Sequence, residues 1–228
     1  MILKLAMFNK LKCFVGALIM VVCMQSAEGF QNRYKVNINK GWLYLEHNTS
    51  DSSEALNQKD WETVNLPHSW NALDATDLNP GYRRSASWYK KVLEIPMVNA
   101  DQTYQIYFEG VNIESQVYVN GKLVGGHIGG YIGFTLDISD LIIAGENQIL
   151  VRVDNGYNPE VIPSQKSDFF IYGGITRDVW LETLHEHHIT NLKITTPKVS
   201  AKNTDLKALV KVQSTSGSSK LKIKASLI

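Results

Sequence analysis

The run SQVYVNGKLVG, residues 115–125, leaves the chain little choice of local structure. Asn120 and Gly121 stand between two short β-rich segments. A two-residue hairpin loop needs positive φ at both central positions, which Asn-Gly adopts at the least steric cost. A hairpin is therefore predicted, and the segments around it follow the same rhythm. WYKKVLEIP (88–96) alternates and stops at Pro96, while TYQIYFEGV (103–111) puts Tyr104, Ile106 and Phe108 on one face. GFTLDIS (133–139), NQILVRVDN (147–155) and RDVWLETL (177–184) add three more strands. No stretch sustains a 3.6-residue apolar period beyond a turn or two.

The expectation is an all-β fold: a jelly-roll β-sandwich, followed by the first strands of a second, immunoglobulin-like sandwich. Two long loops interrupt the first sandwich, at 65–87 and 154–176. Long irregular segments in a small β domain more often serve function than chance. After His185 the texture changes to strands with alternating lysines, HITNLKITTPKVS, TDLKALVKVQS and KLKIKASLI. These provide too few strands to close a sandwich, so residues 186–228 read as the front of a longer protein.

The amino terminus is of a different kind. Lys4, Lys10 and Lys12 precede an apolar run from Cys13 to Met24, and Ala27-Glu28-Gly29 supplies a small-residue exit. This is the pattern of a secretory signal peptide over residues 1–29. The run is too short for a membrane span, which takes about 20 apolar residues. Export to the periplasm or outside the cell is the expectation, with a lipoprotein anchored at Cys23 as the alternative. Removing three lysines and one glutamate takes the net charge from +1 to −1. Cys13 and Cys23 leave with the leader, which excludes disulfides, thiol nucleophiles and thiolate metal sites from the remainder. The near-neutral charge, without a basic stripe, argues against a nucleic-acid partner.

Six runs in order resemble the amino-terminal sugar-binding domain of glycoside hydrolase family 2, the β-galactosidase, β-glucuronidase and β-mannosidase group. They are GWLY (41–44), VNLPHSWN (64–71), GYRRSASWYKK (81–91), YFEGVNIESQVYVNGKLVGGHIGGYIGF (107–134), GENQILVRVDN (145–155) and SDFFIYGGITRDVWL (167–181). The resemblance covers about 34–185, and the start of the family's immunoglobulin-like domain fits 186–228. It implies a domain organisation of leader 1–29, sugar-binding domain 30–185 and partial second sandwich 186–228.

The resemblance also implies a division of labour. In such enzymes a (β/α)8 barrel holds two catalytic glutamates. Retaining hydrolysis requires two carboxyls about 5 Å apart across the scissile bond. Nothing in this chain corresponds to that pair, so it carries no catalytic residue of its own and its partner is the barrel. The alternative is a free-standing carbohydrate-binding or adhesion module.

By the same resemblance, Asp168 contacts hydroxyls of a terminal sugar. An ionised carboxylate only accepts hydrogen bonds and has about four lone-pair sites for O–H donors. Its bland alternative is a turn cap. Arg84 falls where some β-galactosidases carry a sugar-touching asparagine. Gly173 and Gly174 are expected to let the loop turn into the next strand. Arg177 is expected to tie it down through a buried or interdomain ion pair. His127 is read as a hydrogen-bonded histidine in a structural turn, and Trp70 and Trp88 as core. His185, His187 and His188 cluster without a suitably spaced fourth ligand, so no metal site is assigned and no cofactor is expected. The choice among galactose, glucuronic acid and mannose stays open, as does assembly into a homo-oligomer.

Overall fold

A computed structural model describes residues 2–5, 33–78, 81–161, 170–214 and 222–224. Asp168, the leading sugar contact suggested by sequence, lies outside the described residues. In chain order the strands are β1 (Ile2–Leu5), β2 (Arg33–Asn37), β3 (Trp42–Leu45), β4 (Glu62–Val64), β5 (Ala86–Ile95), β6 (Gln102–Phe108), β7 (Val111–Asn112) and β8 (Glu114–Val119). They continue as β9 (Lys122–Ile128), β10 (Phe134–Asp137), β11 (Gly145–Asp154), β12 (Gly174–Ile175), β13 (Val179–His185), β14 (His188–Val199) and β15 (Thr204–Gln213), and a short helix, α1 (Ser52–Asn57), lies between β3 and β4. The fold is all-β, and the chain divides into two units, Arg33–Leu184 and the remainder.

In Arg33–Leu184, a six-stranded sheet of order β4-β3-β5-β11-β8-β9 faces a four-stranded sheet of order β10-β6-β13-β2. The period-2 pattern decides which side chains enter the space between them. Ile149, Val151 and Val153 of β11 meet Tyr104, Ile106 and Phe108 of β6 and Val179 of β13, all buried in one core. Leu150 of the same β11 points the other way, into a smaller cluster with Leu45, Trp88 and Ala55. Ala55 belongs to α1, whose start is capped by Asp51 accepting from the Ser53 amide at 2.8 Å. That short helix thus closes part of the outer face of the larger sheet.

The Asn-Gly hairpin forms as the sequence requires, with Asn120 at φ 49° and Gly121 at φ 79° joining β8 to β9. Asn120 is also anchored from its side chain, donating to Leu141 O at 2.8 Å and to Asn147 Oδ1 at 2.9 Å. Both long segments, 65–85 and 155–173, lack strand structure among the described residues. They are brought together by short pairings. His68 N donates to Ile175 O at 2.9 Å and Trp70 N to Gly173 O at 3.2 Å.

In the other unit, β14 and β15 form a long antiparallel pair, and β1 adds to the free edge of β15. Of residues 1–29 only 2–5 are described, and the expectation of a leader there stands as an expectation. An unpaired strand edge is a template for any short extended apolar segment, and Ile2–Leu5 is one.

Replacing Ile106, fully buried in the main core, with alanine should remove about 2–5 kcal/mol of stability. Urea unfolding of both proteins, compared at equal slope, measures it.

Candidate functional site

Three buried asparagines decide where the loop after residue 169 lies. Asn71 and Asn155 are 0 % exposed and Asn112 is 2 % exposed. A buried amide has to find partners for two donors and an acceptor oxygen. Here the partners are the backbone of residues 171–173, which no strand ladder satisfies. Asn71 Nδ2 donates to Ile171 O at 3.0 Å, and Asn155 Nδ2 donates to the same oxygen at 3.1 Å. Asn112 Nδ2 donates to Tyr172 O. Gly173 N in turn donates to Asn71 Oδ1 at 2.9 Å.

The same two amides grip the other long loop. Asn71 and Asn155 both donate to Arg83 O, at 3.2 and 3.1 Å, and Asn155 Oδ1 accepts from Ser85 N at 3.0 Å. Arg83 sits below the surface and is spent on structure. It pairs with Glu46 at 3.0 Å and donates to Ser87 Oγ and Ala86 O. Arg84 is half-buried and donates from Nε to Asn155 O at 3.1 Å.

Above this framework stands a short aromatic row. Tyr82 packs on Phe170 with ring centroids 4.2 Å apart, and Phe170 packs on Tyr172 at 4.7 Å. The Arg84 guanidinium lies 5.8 Å from the Tyr82 ring centre, within reach of a cation–π contact. Ile113, Val161 and Ile171 form the apolar cluster beneath Tyr82. Beside Tyr172 opens a depression of about 370 Å³ bordered by Pro67, His68, Ala72, Asn112 and Tyr131. That volume is within the range of small-ligand sites. Of the aromatic row, Tyr172 borders this depression, while Tyr82, Phe170 and Arg84 stand outside its lining.

His68 Nδ1 lies 2.8 Å from the Tyr89 hydroxyl. Burial holds the Tyr89 phenol well above its ordinary range, so it stays protonated. A neutral phenol can donate to Nδ1 or accept from Nδ1–H, so the imidazole's tautomer sets the direction of this bond. Burial lowers the His68 pKa, which favours the neutral imidazole.

The glycines act differently from one another. Gly174 has φ +139°, and a Cβ there would strike His68 O, so it answers the expected conformational need. Gly173 is required by space: a Cβ would overlap the Trp70 ring. Trp70 packs partly buried against the core, and Trp88 is fully buried.

The structure bears differently on two sequence readings. Arg177 makes no ion pair among the described residues and is exposed; its aliphatic stem covers Gly110. A long side chain can bury its methylenes and keep its charge in water, which leaves an interdomain partner as the expectation for that charge. His127 lies on β9 rather than in a turn and stacks on Phe134, centroids 4.5 Å apart and 15° from parallel. Its Nε2 is buried without a hydrogen-bond partner among the described residues. In the histidine cluster, His185 Nδ1 accepts from His187 N, and the two rings stand 5.5 Å apart. The asparagine framework was missed, although Asn71, Asn112 and Asn155 each lie in a quoted motif. The signal was a polar residue closing an apolar run.

The family model described as glycosyl hydrolases family 2, sugar binding domain, matches residues 36–185. The chain belongs to that family. It is 62% identical over 203 residues to a provisionally named beta-glucuronidase of Formosa agariphila, covering 89% of this chain and 24% of the relative. It is 33% identical over 168 residues to a beta-galactosidase of Thermoanaerobacter pseudethanolicus, covering 72% of this chain and 23% of that one. The solved Parabacteroides merdae beta-glucuronidase aligns with a TM-score of 0.72 at 28% identity, over 79% of this chain and 26% of that one. The chain thus spans about a quarter of the length of these relatives.

Two outcomes test the site's construction. Because the His68 pKa is depressed on folding, its contribution is present above the unfolded value of ~6.5 and is lost as pH falls through the folded value. Denaturation from pH 8 to 5 should show stability dropping at the acid end, with the slope reduced in His68→Gln. Gly173→Ala should lower the melting temperature by several degrees, about 1–3 kcal/mol of overpacking, whereas Gly81→Ala, whose Cβ would meet nothing within 4 Å, bears only the strain of its positive φ.

Proposed function

We propose that this chain is the sugar-binding part of an exported family 2 glycosidase that hydrolyses terminal β-linked sugars, with the reacting carboxyls supplied by a barrel outside it. The observation that carries the reading is the asparagine-held segment 170–173. An irregular backbone buried and satisfied by three side-chain amides is costly to build, and it leads directly to the expected sugar ligand, Asp168. The family match over 36–185 supports the sugar-binding role. Relatives named beta-glucuronidase and beta-galactosidase support a uronide or a galactoside as substrate. The cationic start and apolar run of residues 1–29 support export.

In this reading Asp168 accepts hydrogen bonds from ring hydroxyls, and Arg84 with the aromatic row borders the same sugar. The domain's contribution is alignment and affinity, while bond cleavage belongs to the barrel. Asp168→Ala in the intact protein should lower kcat/KM at least about tenfold, the cost of losing charge-assisted hydrogen bonds. The melting temperature should stay within a few degrees of the parent. Assays with 4-nitrophenyl β-D-glucuronide and β-D-galactoside measure both the loss and the preferred sugar. An unchanged kcat/KM would return Asp168 to the role of a turn residue.

A further inference from the structure

Two of the fully buried asparagines, Asn71 and Asn155, converge in a way that packing alone does not demand. Arg83 O and Ile171 O each accept two amide N–H groups, one from Asn71 and one from Asn155. Neither carbonyl sits in a strand ladder, so side chains set the separation of the two segments here. The side chains that emerge from those segments, Tyr82, Arg84, Phe170 and Tyr172, are the ones in mutual contact at the surface. Ser69 adds a control on the first amide, its hydroxyl donating to Asn71 Oδ1 at 3.0 Å.

We propose that Asn71 and Asn155 are positioning residues for saccharide binding, holding residues 83–85 and 170–173 at one fixed spacing so that Arg84 and the aromatic row meet the sugar already aligned. The inference rests on the sugar-binding reading above. The pair works because each amide spends both donors on the same two oxygens. Rotating or removing one amide frees both segments at once. A buried carbonyl that loses one of two donors recovers it only by moving toward another donor or toward water. Either movement displaces the neighbouring Arg84 or Phe170. Sequence separation makes the arrangement effective, since Asn71 and Asn155 reach the loop from 100 and 16 residues away.

The test is steady-state kinetics on the intact protein with 4-nitrophenyl β-D-glucuronide, β-D-galactoside and β-D-mannoside. Asn155→Asp keeps the acceptor for Ser85 N and removes both donors. The expected result is a KM raised about tenfold or more, the scale of a lost buried hydrogen bond, with kcat changed less than about threefold. Measured well below the melting temperature, a purely structural role would lower stability and leave KM alone, and that result overturns the inference. Should Asn155→Asp fail to fold, Ser69→Ala decides instead: a threefold or greater rise in KM supports the proposal and an unchanged KM overturns it. If the unaltered protein cleaves none of the three probes, the glycosidase reading itself fails and this inference falls with it. The two failures are distinguishable because the first shows in the variant alone and the second in the parent.

Discussion

The candidate site depends on one interaction, the double grip of Asn71 and Asn155 on Ile171 O and Arg83 O. Residues 170–173 are buried in part, yet belong to no strand, so their backbone polar groups need partners that a sheet does not supply. Side-chain amides provide them from three directions, with Asn112 as the third. Gly173 then has to be glycine because Trp70 is packed against it, and Trp70 is held there by the backbone bond from its own amide to Gly173 O. Loop, tryptophan and glycine are consequences of the same arrangement.

The sandwich beneath makes that arrangement affordable in physical terms. Its core is long strands packed by period-2 alternation, so β5 and β11 end side by side, where Ala86 faces Asp154. Their continuations, Arg83–Ser85 and Asn155, are therefore neighbours before any loop is considered. A side chain one residue beyond each strand end can reach the other segment. The site is built at the end of the sheet from residues whose positions the sheet has already determined.

Much of the framework was legible in the sequence, and the reasons are local. Asn120-Gly121 specifies its own turn, and alternation identifies the faces of β6 and β11. Gly174 answers to a positive φ that no other residue accepts easily. The surroundings of Arg177 and His127 were less legible, because a side chain's contacts are a tertiary fact. Arg177 covers a glycine with its stem, and His127 finds a ring to stack on instead of a hydrogen-bond donor. The asparagines were hidden for a related reason. Residues that look like loop punctuation become buried framework only when segments 100 residues apart are brought together.

The most direct measurement of the central claim is a crystal structure of the intact protein with a bound monosaccharide, glucuronate or galactose. The account expects sugar hydroxyls within hydrogen-bonding distance of the Asp168 carboxylate, beside Arg84 and Tyr82, with Ile171 O still receiving both asparagine amides. A sugar bound well away from these residues, or bound there with the amide pair broken, would contradict it.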